Sequence, residues 1–268
     1  MSTALRLHDV SVTLGRTEIV HQLSLDFEAG GWSTIIGPNG AGKSTLLRAL
    51  GGLIAHDGQI SGIAGATTQD RQTWARTVGY LAQHPVLPPG MTVLDYVLLG
   101  RTPHHGLFGA PGAPDMDRVA TMLDRFDLVA LADRTIASVS GGEAQRAALA
   151  RVMVQEAPIL LLDEPTTGLD LGHQQELLDL LEAVRAEHAV TIIATQHDLT
   201  IAGRYGDRLL LLDRGRIVAD GDAVEVLTPQ RLFDTYGARV EILDLGDGPV
   251  VIPKVRDIRN GAEPNERT

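Results

Sequence analysis

One eight-residue stretch, Gly37–Ser44, constrains the fold of this chain more than any other feature. It reads Gly-Pro-Asn-Gly-Ala-Gly-Lys-Ser and fits the pattern G-x-x-x-x-G-K-[ST] at every fixed position. The apolar run Ser33–Ile36 before it predicts a buried strand, and Thr45–Leu50 after it predicts a helix stopped by Gly51-Gly52. A strand, a glycine loop and a helix start bring several backbone N–H groups to one point, where the helix dipole favours an anion. The stretch therefore predicts a nucleotide-phosphate site.

The residues of this loop suit a triphosphate. Lys43 would place a positive charge at the β- and γ-phosphates, and the Ser44 hydroxyl would ligate Mg²⁺. Glycines let the backbone close on an anion without a Cβ in the way. The predicted phosphate-binding residues are Gly37, Pro38, Asn39, Gly40, Ala41, Gly42, Lys43, Ser44 and Thr45.

Composition excludes several other kinds of protein. The net charge of −11 argues against a nucleic-acid partner, and the lack of cysteine excludes disulfides and thiol chemistry. The longest apolar runs, such as Ile159–Leu162, are far shorter than a membrane span. The first residues do not have the pattern of a signal peptide. We therefore expect a cytoplasmic chain that reaches a membrane only through a partner.

The order of predicted elements indicates an α/β fold. Leu5–Leu14 and Glu18–Phe27 alternate loosely, as strands of an antiparallel region do. The continuous apolar runs Ile159–Leu162, Val190–Ala194 and Arg208–Leu212 predict strands covered on both faces of a mostly parallel sheet.

A helical segment interrupts this pattern. From Thr92 to Glu156 the periodicity is helical, and Met116, Val119, Leu123 and Phe126 fall on one predicted face. The predicted division is a nucleotide-binding core with its β region at 1–85 and 155–238, a helical subdomain at 86–154, and a C-terminal hairpin and tail at 239–268.

Two polar residues follow the strand predicted at Ile159–Leu162. Ligands of parallel sheets bind at the carboxyl ends of strands, which is where these residues fall. Asp163 has the form of a Walker B carboxylate that helps to hold Mg²⁺. Glu164 is then placed to orient or deprotonate an attacking water. The alternative is an acidic turn that binds no ligand. The phosphate loop predicted in the same chain argues against this alternative.

Two more side chains are candidates for the same site. His197 follows the strand at Val190–Ala194 and would donate to the γ-phosphate, or would only precede the helix that Asp198 caps. Gln83 would contact the metal or the water. We therefore predict Glu164, His197 and Gln83 as catalytic, and Ser44, Gln83 and Asp163 as metal ligands.

A second anion site is predicted at Ser140-Gly141-Gly142-Glu143. Ser140, Gly141 and Gly142 precede an alanine-rich helix, so a hydroxyl and bare backbone N–H groups lie at a helix N-terminus. The alternative is an ordinary serine cap without a ligand.

Taken in order, these motifs resemble those of an ABC-transporter ATPase. The resemblance covers nearly the whole chain, because Thr167–Asp170 also matches the family pattern between Glu164 and His197. It implies a P-loop NTPase fold of the RecA-like type that binds ATP and Mg²⁺. It also implies a head-to-tail homodimer in which Ser140, Gly141 and Gly142 reach the nucleotide of the other subunit and Asp170 couples the two sites.

Other stretches resemble one branch of that family. Val97–Gly106, Leu169–Gln174 and Val251–Pro253 are similar to ATPases that serve iron-siderophore, haem and cobalamin importers. The resemblance implies separate transmembrane permease subunits, an extracytoplasmic substrate-binding protein acting through them, and a position on the cytoplasmic face of the membrane. The alternatives are an ATPase of another importer or an exporter, or a nucleotide-gated interaction module with little hydrolysis.

The chain departs from the family pattern at three places. Val139 stands where leucine is usual, and Glu143 stands where glutamine is usual. The aromatic residue that stacks on adenine in such proteins would fall near Leu14, so we expect weaker contact with the base.

Overall fold

The computed structural model describes residues 2–105, 109–246 and 248–254. Two predicted features lie partly outside the described residues. They are Gly106, at the end of the stretch 97–106, and the part of the predicted 239–268 segment that follows Lys254. The strands are β1 Thr3–Leu14, β2 Thr17–Glu28, β3 Trp32–Ile36, β4 Asp57–Gly62, β5 Val78–Leu81, β6 Ile159–Asp163, β7 Thr191–Thr195, β8 Arg208–Asp213, β9 Arg216–Gly221, β10 Val240–Asp244 and β11 Pro249–Pro253. The α-helices are α1 Lys43–Leu50, α2 Arg71–Thr77, α3 Val93–Leu98, α4 Ala113–Arg125, α5 Gly141–Met153, α6 Leu171–His188, α7 Leu199–Tyr205, α8 Ala223–Val226 and α9 Pro229–Tyr236.

The central sheet has the strand order β5-β6-β7-β3-β8-β9. Its strands are parallel except for β9, which pairs antiparallel with β8. Every residue of β3, β6 and β7 is buried, which explains their continuous apolar sequences. The mostly parallel α/β core that the sequence predicts is confirmed, and β9 is an edge strand that the sequence analysis did not identify.

The amino-terminal strands form a separate antiparallel sheet with the order β2-β1-β4. One face of this sheet packs on α1 and on the central sheet, in a shared cluster of buried side chains that includes Val12, Val20, Leu46, Leu50 and Leu161. This packing holds the start of α1 between the two sheets.

Helices α3, α4 and α5 lie between β5 and β6 in the chain and pack in one buried cluster with side chains of the central sheet and of α6. Val119 and Leu123 of α4 are buried there, and Phe126 is buried just beyond the end of α4. Met116 is 39% exposed, so its predicted place on the buried face is wrong. Met116 is in the first turn of α4, where the neighbouring Asp115 is the buried residue.

The carboxyl-terminal elements pack on the end of the central sheet. Strands β10 and β11 form the predicted antiparallel hairpin, and the Val251 N–H donates to the Thr200 hydroxyl of α7 at 3.1 Å. Val240 of β10 and Leu232 of α9 belong to the buried cluster that contains Ile36 and Leu211. Helix α9 and strand β10 thus lie beside β3, the strand that leads into the Gly37–Ser44 loop. Over the described ranges, the helices are too short or too polar to cross a lipid bilayer.

Candidate nucleotide site

The Gly37–Ser44 loop joins β3 to α1 in a conformation that glycine permits. A Cβ on Gly37 would lie 2.1 Å from the carbonyl oxygen of Leu212, so the loop can pass β8 only without a side chain. Gly42, the N-cap of α1, has φ 105° and supplies no capping side chain. The first N–H groups of α1 are therefore left for an anion, as the sequence predicts.

Lys43 is buried at the start of α1, with 6% of its surface exposed. Its Nζ donates to the carbonyl oxygens of Gly37 at 2.6 Å and Pro38 at 3.1 Å. Burial lowers the pKa of Lys43, while the nearby carboxylates of Glu164 and Asp163 oppose that shift. The ammonium group lies inside the loop that it would help to close around phosphate.

Asp163 at the end of β6 accepts two hydroxyl hydrogen bonds on one oxygen. Ser44 Oγ donates to Asp163 Oδ1 at 3.0 Å, and Thr195 Oγ1 donates to the same atom at 2.7 Å. Hydroxyl and carboxylate oxygens are ligands that Mg²⁺ prefers. The donor set therefore fits the predicted metal at Ser44 and Asp163, with the Gln83 amide nearby.

Glu164 is buried, and both of its carboxylate oxygens have partners. Gln83 Nε2 donates to Glu164 Oε2 at 2.6 Å, and the Thr167 hydroxyl donates to the same oxygen at 3.2 Å. His197 Nε2 contacts Glu164 Oε1. These contacts bring the three predicted catalytic side chains into one cluster.

The clustered side chains border a single cavity of about 500 Å³. Its lining residues are Ile19, Asn39, Gly40, Gly42, Lys43, Ser44, Thr45, Gln83, Glu164 and His197. Gly37, Pro38 and Ala41 form the inner turn of the loop and do not line the cavity, and Asp163 reaches it through its bond to Ser44. The carboxyl ends of β3, β6 and β7 thus meet at one site.

Ser140, Gly141 and Gly142 lie outside this cavity, at the start of α5. The Ser140 hydroxyl accepts from the Glu143 N–H at 3.3 Å, and Glu143 Oε2 accepts from the Ser140 N–H at 2.6 Å. This capping box leaves the proton of the Ser140 hydroxyl available for another acceptor. The unusual Glu143 therefore holds the turn, and its own pKa is lowered by the Ser140 backbone N–H.

Asp170 also lies away from the cavity and caps α6. Its carboxylate accepts from the His173 N–H at 2.9 Å and contacts His173 Nδ1 at 2.8 Å. These bonds lower the pKa of Asp170. A Cβ on Gly142 would lie 3.7 Å from Leu169 Cδ2, so the starts of α5 and α6 form one surface.

Sequence reasoning missed three contributors to the site, Ile19, Thr167 and Thr195, as named site residues. Ile19 lines the cavity from β2, and its carbonyl oxygen would lie 3.2 Å from a Cβ on Gly42. Thr167 was visible as the first residue of the Thr167–Asp170 stretch, and Thr195 only as a polar residue at the end of a predicted strand. The partners of Thr195 became identifiable once the strand order placed β7 beside β6.

The place near Leu14 where the adenine base is expected gives a first prediction. Leu14 is 41% exposed at the end of β1, in the hairpin that also carries Ile19. We expect Leu14→Tyr to lower the Kd for ATP roughly tenfold, because stacking on a base contributes ~1–3 kcal/mol. Calorimetric titration measures this, with Leu245→Tyr, at a leucine 65% exposed elsewhere, as the control. Equal affinity of wild type and Leu14→Tyr would contradict the placement of the base.

Known proteins that match this chain over most of its length belong to one family. A family model described as ABC transporter matches residues 20–167. The ferric enterobactin transport ATP-binding protein FepC of Escherichia coli is 38% identical over 253 residues, covering 93% of each chain. The hemin import ATP-binding protein HmuV of Burkholderia ambifaria is 37% identical, covering 93% of this chain and 99% of that protein.

Solved structures show the same similarity in three dimensions. A metal-chelate type ABC transporter in an inward-facing conformation superposes with a TM-score of 0.81 at 28% identity, covering 95% of this chain and 98% of that one. The ATP-binding cassette MJ0796, solved as a dimer bound to ADP and Pi, has a TM-score of 0.73 at 26% identity, covering 82% and 98%.

Proposed function

Because the chain belongs to the ABC transporter family, we propose that it is the ATP-hydrolysing subunit of an importer for an iron chelate, haem or a cobalamin-type substrate. The observation that carries this proposal is the convergence of Lys43, Ser44 and Asp163 with Glu164 and His197 at one edge of the central sheet. Phosphoryl transfer to water needs this combination of positioning and charge stabilisation.

Each side chain of the cluster has a role in this reaction. The amides of the loop and the Lys43 ammonium bind the phosphates, and Ser44, Asp163 and Gln83 would hold Mg²⁺. When bound, that ion supplies positive charge to the phosphate oxygens. Glu164 orients the attacking water and accepts its proton, and His197 donates to the γ-phosphate.

The second predicted anion site requires another copy of the chain. Ser140 and Gly142 do not line the cavity of their own chain, so we propose a two-fold dimer in which they meet the phosphates bound by the other copy. Leu171, next to Asp170, is 80% exposed, which supports a partner on this surface. Asp170 would then transmit the state of one site to the other.

We propose that a permease helix docks between the core and the helical subdomain. A cavity of about 620 Å³ there is lined by Leu53, Tyr80, Leu99 and Arg151, and the two leucines are 54% and 40% exposed. Gln83 follows Tyr80 by only a few residues, so it can respond to both nucleotide and partner. This contact would keep the chain on the cytoplasmic face of the membrane, while an extracytoplasmic binding protein would deliver cargo to the permease from the opposite side.

The division of the chain into three parts belongs to the same proposal. The core comprises 1–85 and 155–238, the helical subdomain 86–154, and the C-terminal segment 239–268. The run of helices α3–α5 between β5 and β6 supports the middle boundary pair. Relative motion of these parts would link hydrolysis to transport.

The experiment is to purify the chain with its native membrane partners and to identify the cargo that ATP drives across the membrane. Uptake of an iron chelate, haem or cobalamin-type compound, dependent on ATP turnover, supports the proposal. Efflux or another cargo would favour a different transporter. Nucleotide binding with negligible turnover in the assembled complex would favour an interaction module.

A further inference from the structure

Thr195 lies at the end of β7, where it touches both acidic residues at the end of β6. The two strands pair in parallel, and Thr195 is directly opposite Asp163. Thr195 is fully buried, and Asp163 and Glu164 are 3% and 4% exposed. Contacts among these residues are therefore shielded from water, where a lost hydrogen bond is not replaced by solvent.

The Thr195 hydroxyl makes two different hydrogen bonds. It donates to Asp163 Oδ1 at 2.7 Å and accepts from the Glu164 backbone N–H at 2.9 Å. A hydroxyl has one proton, and here that proton points to the Asp163 carboxylate while a lone pair faces Glu164. One atom thus sets the positions of two neighbouring residues with separate roles.

Glu164 needs such support because its backbone is in the left-handed region, with φ 50°. That conformation is unfavourable for a residue with a side chain and persists only where the surroundings hold it. The Glu164 carbonyl accepts from the Thr167 N–H at 3.1 Å, and the Glu164 N–H is held by Thr195. Together these bonds aim the Glu164 side chain at Gln83 and His197.

We propose that Thr195 is a positioning residue that couples the carboxylate predicted to hold Mg²⁺ to the carboxylate predicted to activate water. It does not line the cavity, so it acts through Asp163 and Glu164 and not on the nucleotide. This inference rests on the proposed ATPase function. Its expected signature is a loss of turnover with little loss of nucleotide affinity.

The test compares Thr195→Val with Thr195→Ser in the full chain. Valine keeps the shape and removes the hydroxyl, whereas serine keeps the hydroxyl. Thr191→Val is the matched control, because Thr191 is on the same strand, is 2% exposed, and its hydroxyl accepts from the Gly30 N–H at 3.0 Å. The readouts are kcat, the Kd for ATP measured in EDTA, and NMR amide exchange of Glu164 without nucleotide.

For Thr195→Val we expect kcat to fall roughly 10- to 100-fold, since small displacements of reacting groups have effects of that size. The Kd for ATP should stay within about threefold, and exchange of the Glu164 amide should accelerate roughly tenfold, as the loss of one hydrogen bond predicts. Thr195→Ser should recover most of kcat, and Thr191→Val should retain it.

Three results would overturn the inference. They are unchanged kcat and amide exchange in Thr195→Val, an equal loss of kcat in Thr191→Val, or a parallel loss of ATP affinity in Thr195→Val. Failure of the proposed function looks different, because the wild type would then hydrolyse no ATP. In that case the amide-exchange comparison still decides whether Thr195 holds Glu164.

Discussion

Glu164→Gln is expected to bind ATP and to hydrolyse almost none of it. A general base contributes about 10²- to 10⁴-fold to a rate, and glutamine removes the basic oxygen while it keeps the size of the side chain. The buried cluster should survive, because the glutamine carbonyl can still accept from Gln83 or Thr167, which now bond to Glu164 Oε2. With hydrolysis blocked, we expect ATP to hold two copies of the chain together.

Phosphate release and light scattering with ATP measure these two outcomes. Glu176→Gln is the control, because Glu176 is exposed on α6 and lies outside the cavity. It should hydrolyse ATP at the wild-type rate and show no lasting dimer. Hydrolysis by Glu164→Gln within a few-fold of wild type would remove Glu164 from the role of base.

Lys43→Ala is expected to raise the Kd for ATP on the order of a hundredfold. Each charge-assisted hydrogen bond contributes ~1.5–3 kcal/mol, and about 1.4 kcal/mol corresponds to tenfold in affinity. Lys43 now bonds to the carbonyl oxygens of Gly37 and Pro38, so phosphate would have to replace those acceptors. Titration with ATP checks the value.

The sequence contains one other lysine, Lys254, which makes a direct control. Lys254→Ala should bind ATP like the wild type, since Lys254 follows β11 and does not line the cavity. Affinity lost equally in both variants would point to a general charge effect and not to the loop.

Mixed subunits extend this prediction to the dimer. Neither Lys43→Ala nor Gly142→Asp should hydrolyse ATP alone, because one lacks the loop charge and the other places a carboxylate where phosphate is proposed to bind. A mixture should regain activity, because half of its dimers contain one site with intact residues from both chains. Absence of any recovery would contradict the head-to-tail arrangement.

The chemistry of the site was predictable wherever it depends on neighbouring residues. Gly37–Ser44 and Asp163-Glu164 are contiguous, and the apolar runs before them already indicate buried strands that end in polar groups. Burial of β3 and β6 on both faces confirmed that interpretation. By contrast, Met116 was placed wrongly, because helical periodicity gives the spacing of apolar residues but not which of them the neighbouring elements cover.

Sequence alone was enough to predict a phosphate loop, two acidic residues after a buried strand and a second helix start suited to an anion, because each depends on local backbone and residue type. Tertiary structure decided which of these groups meet. It inserted β7 between β6 and β3, set Thr195 against both Asp163 and Glu164, and left Ser140 outside the cavity. Strand order and the left-handed backbone of Glu164 arise from long-range packing, which no short stretch of sequence encodes.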